Sequence, residues 1–327
     1  AIYYQSVFKS YFAKKDSDLI QKGNDYFRIE GNWEVREEKI KVAQAYRDGQ
    51  KLFFLNGQKD AMKSDFIGQI PVVLICPEDQ LMIREGSRVR RKIFDHILSL
   101  TNHKYLRCLM QYNRLLRQRN QYLKTTPKHK ILYDVLPTYS RQMNTMATFI
   151  HESRSQLTDN FKQQFPKDYQ DLSDSSETCD IHYKSSMFDG SLEYLHEQDL
   201  EKDIVLGRTN AGIHKDDWAF GIDGERIKYF GSQGQQKTFV LAIKFGLCRQ
   251  LMNEKKIIPL LLLDDIFDKL DPHRMNLLVS WLYQSPFKQV LITDTDENRL
   301  WDLIKNLGKN QKKFVVNNGK IKDETTR

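Results

Sequence analysis

The chain has 327 residues, of which 40% are hydrophobic and 29% charged, with a net charge of +8; this fits an ordinary globular protein long enough for more than one domain. No apolar run approaches the ~20 residues that cross a bilayer, and the first residues lack a signal-peptide pattern. The four cysteines (Cys76, Cys108, Cys179, Cys248) lie far apart without a CxxC pair, which argues against a disulfide framework and a zinc site and for a reducing cytosol.

In chain order, the stretch from Ala1 to about Ser17 opens in a helix-like pattern. Tyr26–Trp33, Lys39–Arg47 and Lys51–Leu55 alternate like antiparallel strands, with Asp48-Gly49 as a turn. IPVVLIC (70–76) is a short buried strand bounded by Pro71 and Pro77. From Gly86 the spacing becomes helical: Ile93, Ile97 and Leu100, then Leu106, Leu109 and Leu116, share a face. Pro127 breaks this pattern, and a second helical run covers roughly Tyr133–Phe165. The acidic, serine-rich segment 168–180 is expected to be a loop.

Strand character returns at Cys179–Tyr183, and WAFGIDGERIKYF (218–230) predicts a hairpin with Asp223-Gly224 at its tip. The run after Gln235 is a helix with Val240, Ile243, Leu247 and Leu251 on one side. IIPLLLL (257–263) and QVLIT (289–293) have the length and composition of buried parallel strands. The whole predicts an α/β head made from both chain ends, 1–84 and 204–327, around a mainly helical insertion, 85–203.

Charge is unevenly spread. Residues 84–130 carry 13 Lys/Arg against 2 Asp/Glu, and residues 152–203 carry 5 against 13. A concentrated basic surface suits a polyanion; the alternative is a solvated helix face. The candidate DNA contacts are Arg84, Arg88, Arg90, Arg91, Lys92, Lys104, Arg107, Arg114, Arg117 and Arg119, of which Lys104, Arg107, Arg114 and Arg117 form one stripe. Such contacts grip phosphates and carry little base information.

PLLLLDDIFDKLD (259–271) ends an apolar run in paired aspartates, placing carboxylates at the C-terminal edge of a buried strand, where open α/β sheets bind ligands. Strand alternation turns Asp264 and Asp265 to opposite sides. Asp264 suits Mg²⁺ at a nucleotide, and Asp265 suits orienting or deprotonating an attacking water. The alternative is a strand ending at a polar turn. GSQGQQKT (231–238) contains no acid–base group near neutrality except a solvated lysine; its small residues leave backbone N–H groups open to an anion at a helix start. Ser232 and Gln235 also have capping-box spacing, which leaves Gly231, Gly234 and Gln236 unexplained.

The order of Gly231-Ser232-Gln233-Gly234-Gln235, a helix, Asp264-Asp265 and Leu270-Asp271 resembles the signature, Walker B and D-loop of the ABC-type ATPase family. With GRTNAGIHKDDW (207–218), PEDQLMIREGSRVRRKIFDHIL (77–98) and YNRLLRQRN (112–120), the chain is similar over nearly its whole length to the bacterial RecF family, whose head is related to those of Rad50 and SMC proteins. The resemblance implies an ATP-dependent homodimer that binds duplex DNA and single/double-strand junctions and works with RecO and RecR to load RecA at gaps in recombinational repair. It implies weak, regulatory ATP hydrolysis with Mg²⁺, a cytoplasmic and nucleoid-associated location, and no membrane contact.

In such a dimer Ser232, Gln233, Gly234 and Gln235 meet the nucleotide held by the partner, and Asp271 approaches that site as the D-loop residue or, in the simpler reading, caps a helix before Pro272. Where relatives carry a switch histidine this chain reads TDTD (293–296), so Thr293 or Asp294 is the candidate γ-phosphate sensor. Gln80 is a further candidate for Mg²⁺, and His214 is expected to be packed or solvated. The phosphate loop, GxxxxGK followed by Ser or Thr, is not in the sequence; AIYYQSVFKSYF (1–12) resembles the segment just after it, so the loop is expected upstream of Ala1. Two other readings remain: a Rad50-like or SMC-like tether, disfavoured because the insertion is short and holds Pro127 and Pro137, and a catalytically idle DNA-binding module.

Overall fold

The computed structural model describes residues 1–59, 66–131, 134–267, 270–305 and 310–326. A three-stranded parallel sheet, in the order β10 (Val290–Thr293), β9 (Leu260–Asp264), β5 (Val72–Ile75), joins distant parts of the sequence. Val73 is opposite Leu261 on one side, and Val290 is opposite Leu261 on the other. The three apolar runs read from the sequence are therefore neighbours and parallel, but only β5 is buried throughout; β9 is buried at alternate positions, and β10, at the edge, is only partly covered.

The expected meander is present as β1 (Tyr26–Val35), β2 (Glu38–Arg47), β3 (Gln50–Leu55) and the short β4 (Gln58–Lys59), all antiparallel. Asp48 and Gly49 both have positive φ, the backbone that a tight hairpin between right-twisted strands demands. A third sheet consists of β6 (Cys179–Lys184), β7 (Asp217–Ile222) and β8 (Glu225–Arg226), and a terminal hairpin of β11 (Lys312–Asn317) and β12 (Lys320–Thr326).

Helix α1 (Ile2–Val7) is shorter than expected, because Phe8 adopts a left-handed conformation that ends it. After α2 (Leu81–Arg84) come α3 (Ser87–Thr101) and α4 (His103–Thr125), separated at Asn102, whose side chain caps α4 by accepting from the Tyr105 N–H. Helix α5 (Val135–Ser173) runs past the predicted end; Tyr133, the expected start, lies outside the described residues. The segment expected to be a loop from 168 is helical to Ser173, because Phe161, Phe165, Tyr169 and Leu172 extend the buried stripe, while Asp171 faces solvent and the buried Asp168 is paired with Arg249 at 2.5 Å. Pro137 does not interrupt α5: it lies in the first turn, where a missing N–H costs little.

The short helices α6 (Leu192–Gln198), α7 (Leu200–Leu206) and α8 (Ile227–Phe230) precede α9 (Gln233–Lys255), α10 (Pro272–Gln284) and α11 (Arg299–Ile304). Thr238 to Cys248 of α9 are all buried, so this helix is enclosed rather than amphipathic. One continuous core runs from Val73 through Phe94, Ile150, Phe165, Phe239 and Leu261 to Phe287. Within it Phe94 stacks on Trp218 at 4.2 Å, and Phe165 meets Phe239 edge-on at 4.9 Å.

Two buried cations hold this core in register. Arg154 of α5 reaches Asp95 of α3 at 2.9 Å and Asp216 before β7 at 2.6 Å. Lys244 of α9 pairs with Asp79 at 2.8 Å and donates to the Leu74 carbonyl, fixing the 77–80 turn against the end of β5. Removing one member of such a pair would strand a buried charge, so these links specify geometry.

Candidate functional site

The candidate nucleotide site lies at the C-terminal ends of β9 and β10, beside the Asp79-anchored turn and α9. β9 ends at Asp264, whose Oδ1 accepts a hydrogen bond from Thr293 Oγ1 at 2.6 Å. Asp265 then leaves the strand with φ of 49°, a left-handed conformation that is uncommon outside glycine and concentrates at functional sites. Its backbone N–H donates to the Thr293 hydroxyl at 3.1 Å. The two carboxylates have different surroundings, as expected, but it is this backbone turn at Asp265 that sets its direction.

Asp265 lines a cavity of about 110 Å³ together with Cys76, Gln80, Lys237, Val240 and Ile266. Its Oδ1 is buried and has no hydrogen-bond partner among the described residues. A buried carboxylate oxygen in this state calls for a donor or cation that the described residues do not supply. Gln80 is part of the same wall, so the structure brings it to Asp265. The lysine expected to be solvated, Lys237, instead lines this cavity. Gln80 and Asp265 in this wall, with Asp264 at the adjoining strand end, fit Mg²⁺, which takes one or two carboxylates and completes its octahedron with phosphate oxygens and water. Among the described residues no group of three or more His, Cys, Asp or Glu forms a self-sufficient metal site.

At the start of α9 the capping box is complete. Ser232 Oγ accepts from the Gln235 N–H at 3.2 Å, and Gln235 Oε1 accepts from the Ser232 N–H at 2.6 Å. The three residues that capping left unexplained each have a local reason. Gln236 Nε2 donates to the Gly231 carbonyl at 3.0 Å. A Cβ at Gly231 would meet Ile227 at 2.6 Å, and one at Gly234 would meet the Arg274 guanidinium. Gln235 also donates to Glu177 Oε1 at 2.5 Å, and Glu177 accepts from Tyr169 at the end of α5. Partial burial works against the Glu177 charge, but the hydrogen bonds from Tyr169, Gln235 and Ser175 outweigh it and hold its pKa below the usual value. Gln233 is exposed on the same turn, and just before it Tyr229 and Phe230 are 66% and 69% exposed.

Within its own chain Asp271 caps α10, accepting from the Arg274 N–H at 2.9 Å, with Pro272 at the first helical position. Of the two sensor candidates, Asp294 is engaged by Arg299, whose Nε donates to its Oδ2 at 3.0 Å, and its side chain is nearly buried. Thr293 is the member of that pair that faces the site. His214 is packed: its ring bonds Tyr112 and the Thr209 carbonyl.

The basic set divides. Arg119 is fully buried, donating to Asp203 Oδ2 at 2.7 Å and to Thr209 at 2.6 Å, and cannot reach DNA. Arg90 makes a two-pronged contact with Asp217 and is 11% exposed. Arg91 donates to Ser87 and to the Asp216 carbonyl. These three are structural, because Arg90 and Arg91 of α3 and Arg119 of α4 are all taken up by partners in the segment 203–217. Arg84, Arg88, Lys92, Lys104, Arg107, Arg114 and Arg117 remain exposed. Partial burial, then the neighbouring Arg88 and Lys9 cations, lower the pKa of Lys92, which identifies a like-charge cluster reaching from α3 to the segment after α1.

Sequence reasoning missed Glu177, Arg274 and Lys9. Arg274 stands three residues after the capping Asp271, a spacing that could have drawn attention to it; Glu177 and Lys9 reach their places through contacts distant in sequence.

No family model matches the chain. It is 36% identical over 316 residues to the DNA replication and repair protein RecF of Flavobacterium johnsoniae, covering 96% of this chain and 88% of the relative. It is 35% identical over 324 residues to the protein of the same name from Azobacteroides pseudotrichonymphae, covering 99% and 88%. A solved structure described as the recombination mediator protein RecF-ATPrS in the RecFOR pathway superposes with a TM-score of 0.84 at 25% identity, covering 99% of this chain and 86% of that one. The Smc head domain of Pyrococcus furiosus superposes with a TM-score of 0.52 at 15% identity over 96% and 82%, which is a likeness of fold alone.

Proposed function

This chain belongs to the RecF family of DNA replication and repair proteins, and from that membership we propose that it is an ATP-dependent DNA-binding protein of recombinational repair, closing as a dimer around ATP. In this reading Asp264, with Gln80, holds Mg²⁺ at the nucleotide, which when bound offsets phosphate charge. Asp265 orients the attacking water, and Thr293 fixes the carboxylate of Asp264. Ser232, Gln233, Gly234 and Gln235 approach the nucleotide of the partner, as does Asp271. The exposed Tyr229 and Phe230 support a partner at this edge, since adjacent exposed aromatics mark interaction surfaces.

The observation that carries the reading is the orphaned Asp265 Oδ1 in a cavity walled by Gln80, at the mouth of a parallel sheet. Hydrolysis is slow and regulatory, since phosphoryl transfer asks the protein mainly to position a water and stabilise charge. The exposed cations of α3 and α4 grip duplex DNA or a junction without reading its sequence, and partnership with RecO, RecR and RecA follows from family membership. The helical insertion, 85–203, serves as the second lobe. A tether is disfavoured: α5, the longest helix described at 39 residues, buries its stripe in the core.

The test is ATP turnover by the full-length protein, carrying the phosphate loop expected upstream of Ala1, as a function of protein concentration. A site completed by a second copy gives specific activity that rises with concentration toward a plateau. Constant specific activity down to extreme dilution, or no turnover at any concentration, rejects the reading.

A further inference from the structure

The guanidinium of Arg274 lies on the backbone of Gly234. A Cβ built at Gly234 would fall 1.7 Å from Arg274 Nη1, 2.7 Å from Cζ and 3.0 Å from Nη2, so the planar group occupies the space a side chain would take. The same arginine is bound to Asp271 twice: its backbone N–H donates to Oδ1 at 2.9 Å, and Nη1 stands 3.6 Å from Oδ2. No side-chain hydrogen bond is made by this guanidinium among the described residues, and the group is 29% exposed. It is a cation in the first turn of α10, laid against the first turn of α9, where both helix dipoles oppose it. The Asp271 carboxylate offsets that repulsion, and the guanidinium fills the space over Gly234.

We propose that Arg274 is a positioning residue that holds the Ser232–Gln235 turn at a set spacing from Asp271, and that residue 234 is glycine to seat it. The inference rests on the dimeric ATP site proposed above, in which both segments must meet one nucleotide together. A fixed spacing supplies that geometry in advance, and misplacement of about 1 Å costs roughly a hundredfold in rate.

A double-substitution cycle tests the seat. Gly234→Ala displaces only the far end of a flexible side chain, so it folds; Arg274→Ala removes the same contact from the other side. Each lowers kcat by about tenfold while KM stays within about twofold, and the pair together is no worse than the poorer single variant. Multiplying defects, an Arg274→Ala enzyme with the parental kcat, or losses that track a fall in melting temperature overturn the inference.

A second measurement needs no turnover. Spin labels on Gln233→Cys and His273→Cys, both exposed sites, in a Cys108→Ser background with the other three cysteines buried, report the spacing directly. Their distance distribution is narrow in the parent and broadens with Gly234→Ala or Arg274→Ala. An unchanged distribution rejects the link even if ATP is hydrolysed. Absence of turnover in the unsubstituted protein rejects the functional reading and leaves this measurement to decide the link.

Discussion

The hydroxyl of Thr293 joins two neighbouring aspartates: it donates to Asp264 Oδ1 at 2.6 Å and accepts from the Asp265 N–H at 3.1 Å. Thr293→Val keeps the shape and removes both bonds. Loss of a hydrogen bond to a charged group costs about 1.5–3 kcal/mol, so ATP turnover should fall by roughly ten- to a hundredfold. Thr293→Ser should retain most of it. Parental turnover in the valine variant would remove Thr293 from the site.

Asp265→Asn keeps the volume of the side chain and removes its charge and its capacity as a base. Turnover should drop by about 10²–10⁴, while ATP-dependent dimers accumulate and outlive those of the parent in size-exclusion chromatography. Hydrolysis at the parental rate would show that Asp265 does not handle the water.

The basic residues should separate into two classes by experiment. Arg88→Glu with Arg114→Glu should weaken duplex binding at every sequence, and each lost phosphate contact should reduce the log–log salt slope by ~0.9. Melting temperature should hardly move, since both side chains are exposed. Arg119→Ala should do the reverse. It strands buried Asp203 and should cost about 3–5 kcal/mol of stability, with no change of salt slope in the protein that remains folded.

Three histidines make stability fall on acidification. Burial comes first in lowering the pKa of His96 to about 4, of His196 to about 3 and of His214 to about 4. Below pH 6.5 the unfolded chain binds protons at these positions and the folded chain does not, so stability rises with pH across this range. Each should contribute a loss of about 1–2 kcal/mol between pH 6.5 and 5. His196→Gln should flatten the dependence in urea titrations at the two pH values, and an unaltered slope would count against a neutral buried ring.

The elements whose information is local were legible in the sequence. The Asp48-Gly49 hairpin, the apolar runs of β5, β9 and β10 and the Ser232–Gln235 capping box depend on backbone conformation and short-range periodicity. The family order of motifs was equally legible, because it is linear. What each charge does depends on which distant segment faces it. A helical stripe alone cannot distinguish Arg114, in solvent, from Arg119, which Asp203 takes up. The TDTD stretch offers two sensor candidates until Arg299 occupies Asp294 and Thr293 turns to Asp264. Likewise the crowding at Gly234 arises only once α10 brings Arg274 against it. Periodicity and turn chemistry are carried by neighbouring residues, whereas ion pairing and close packing are settled by residues that meet only after the chain has folded.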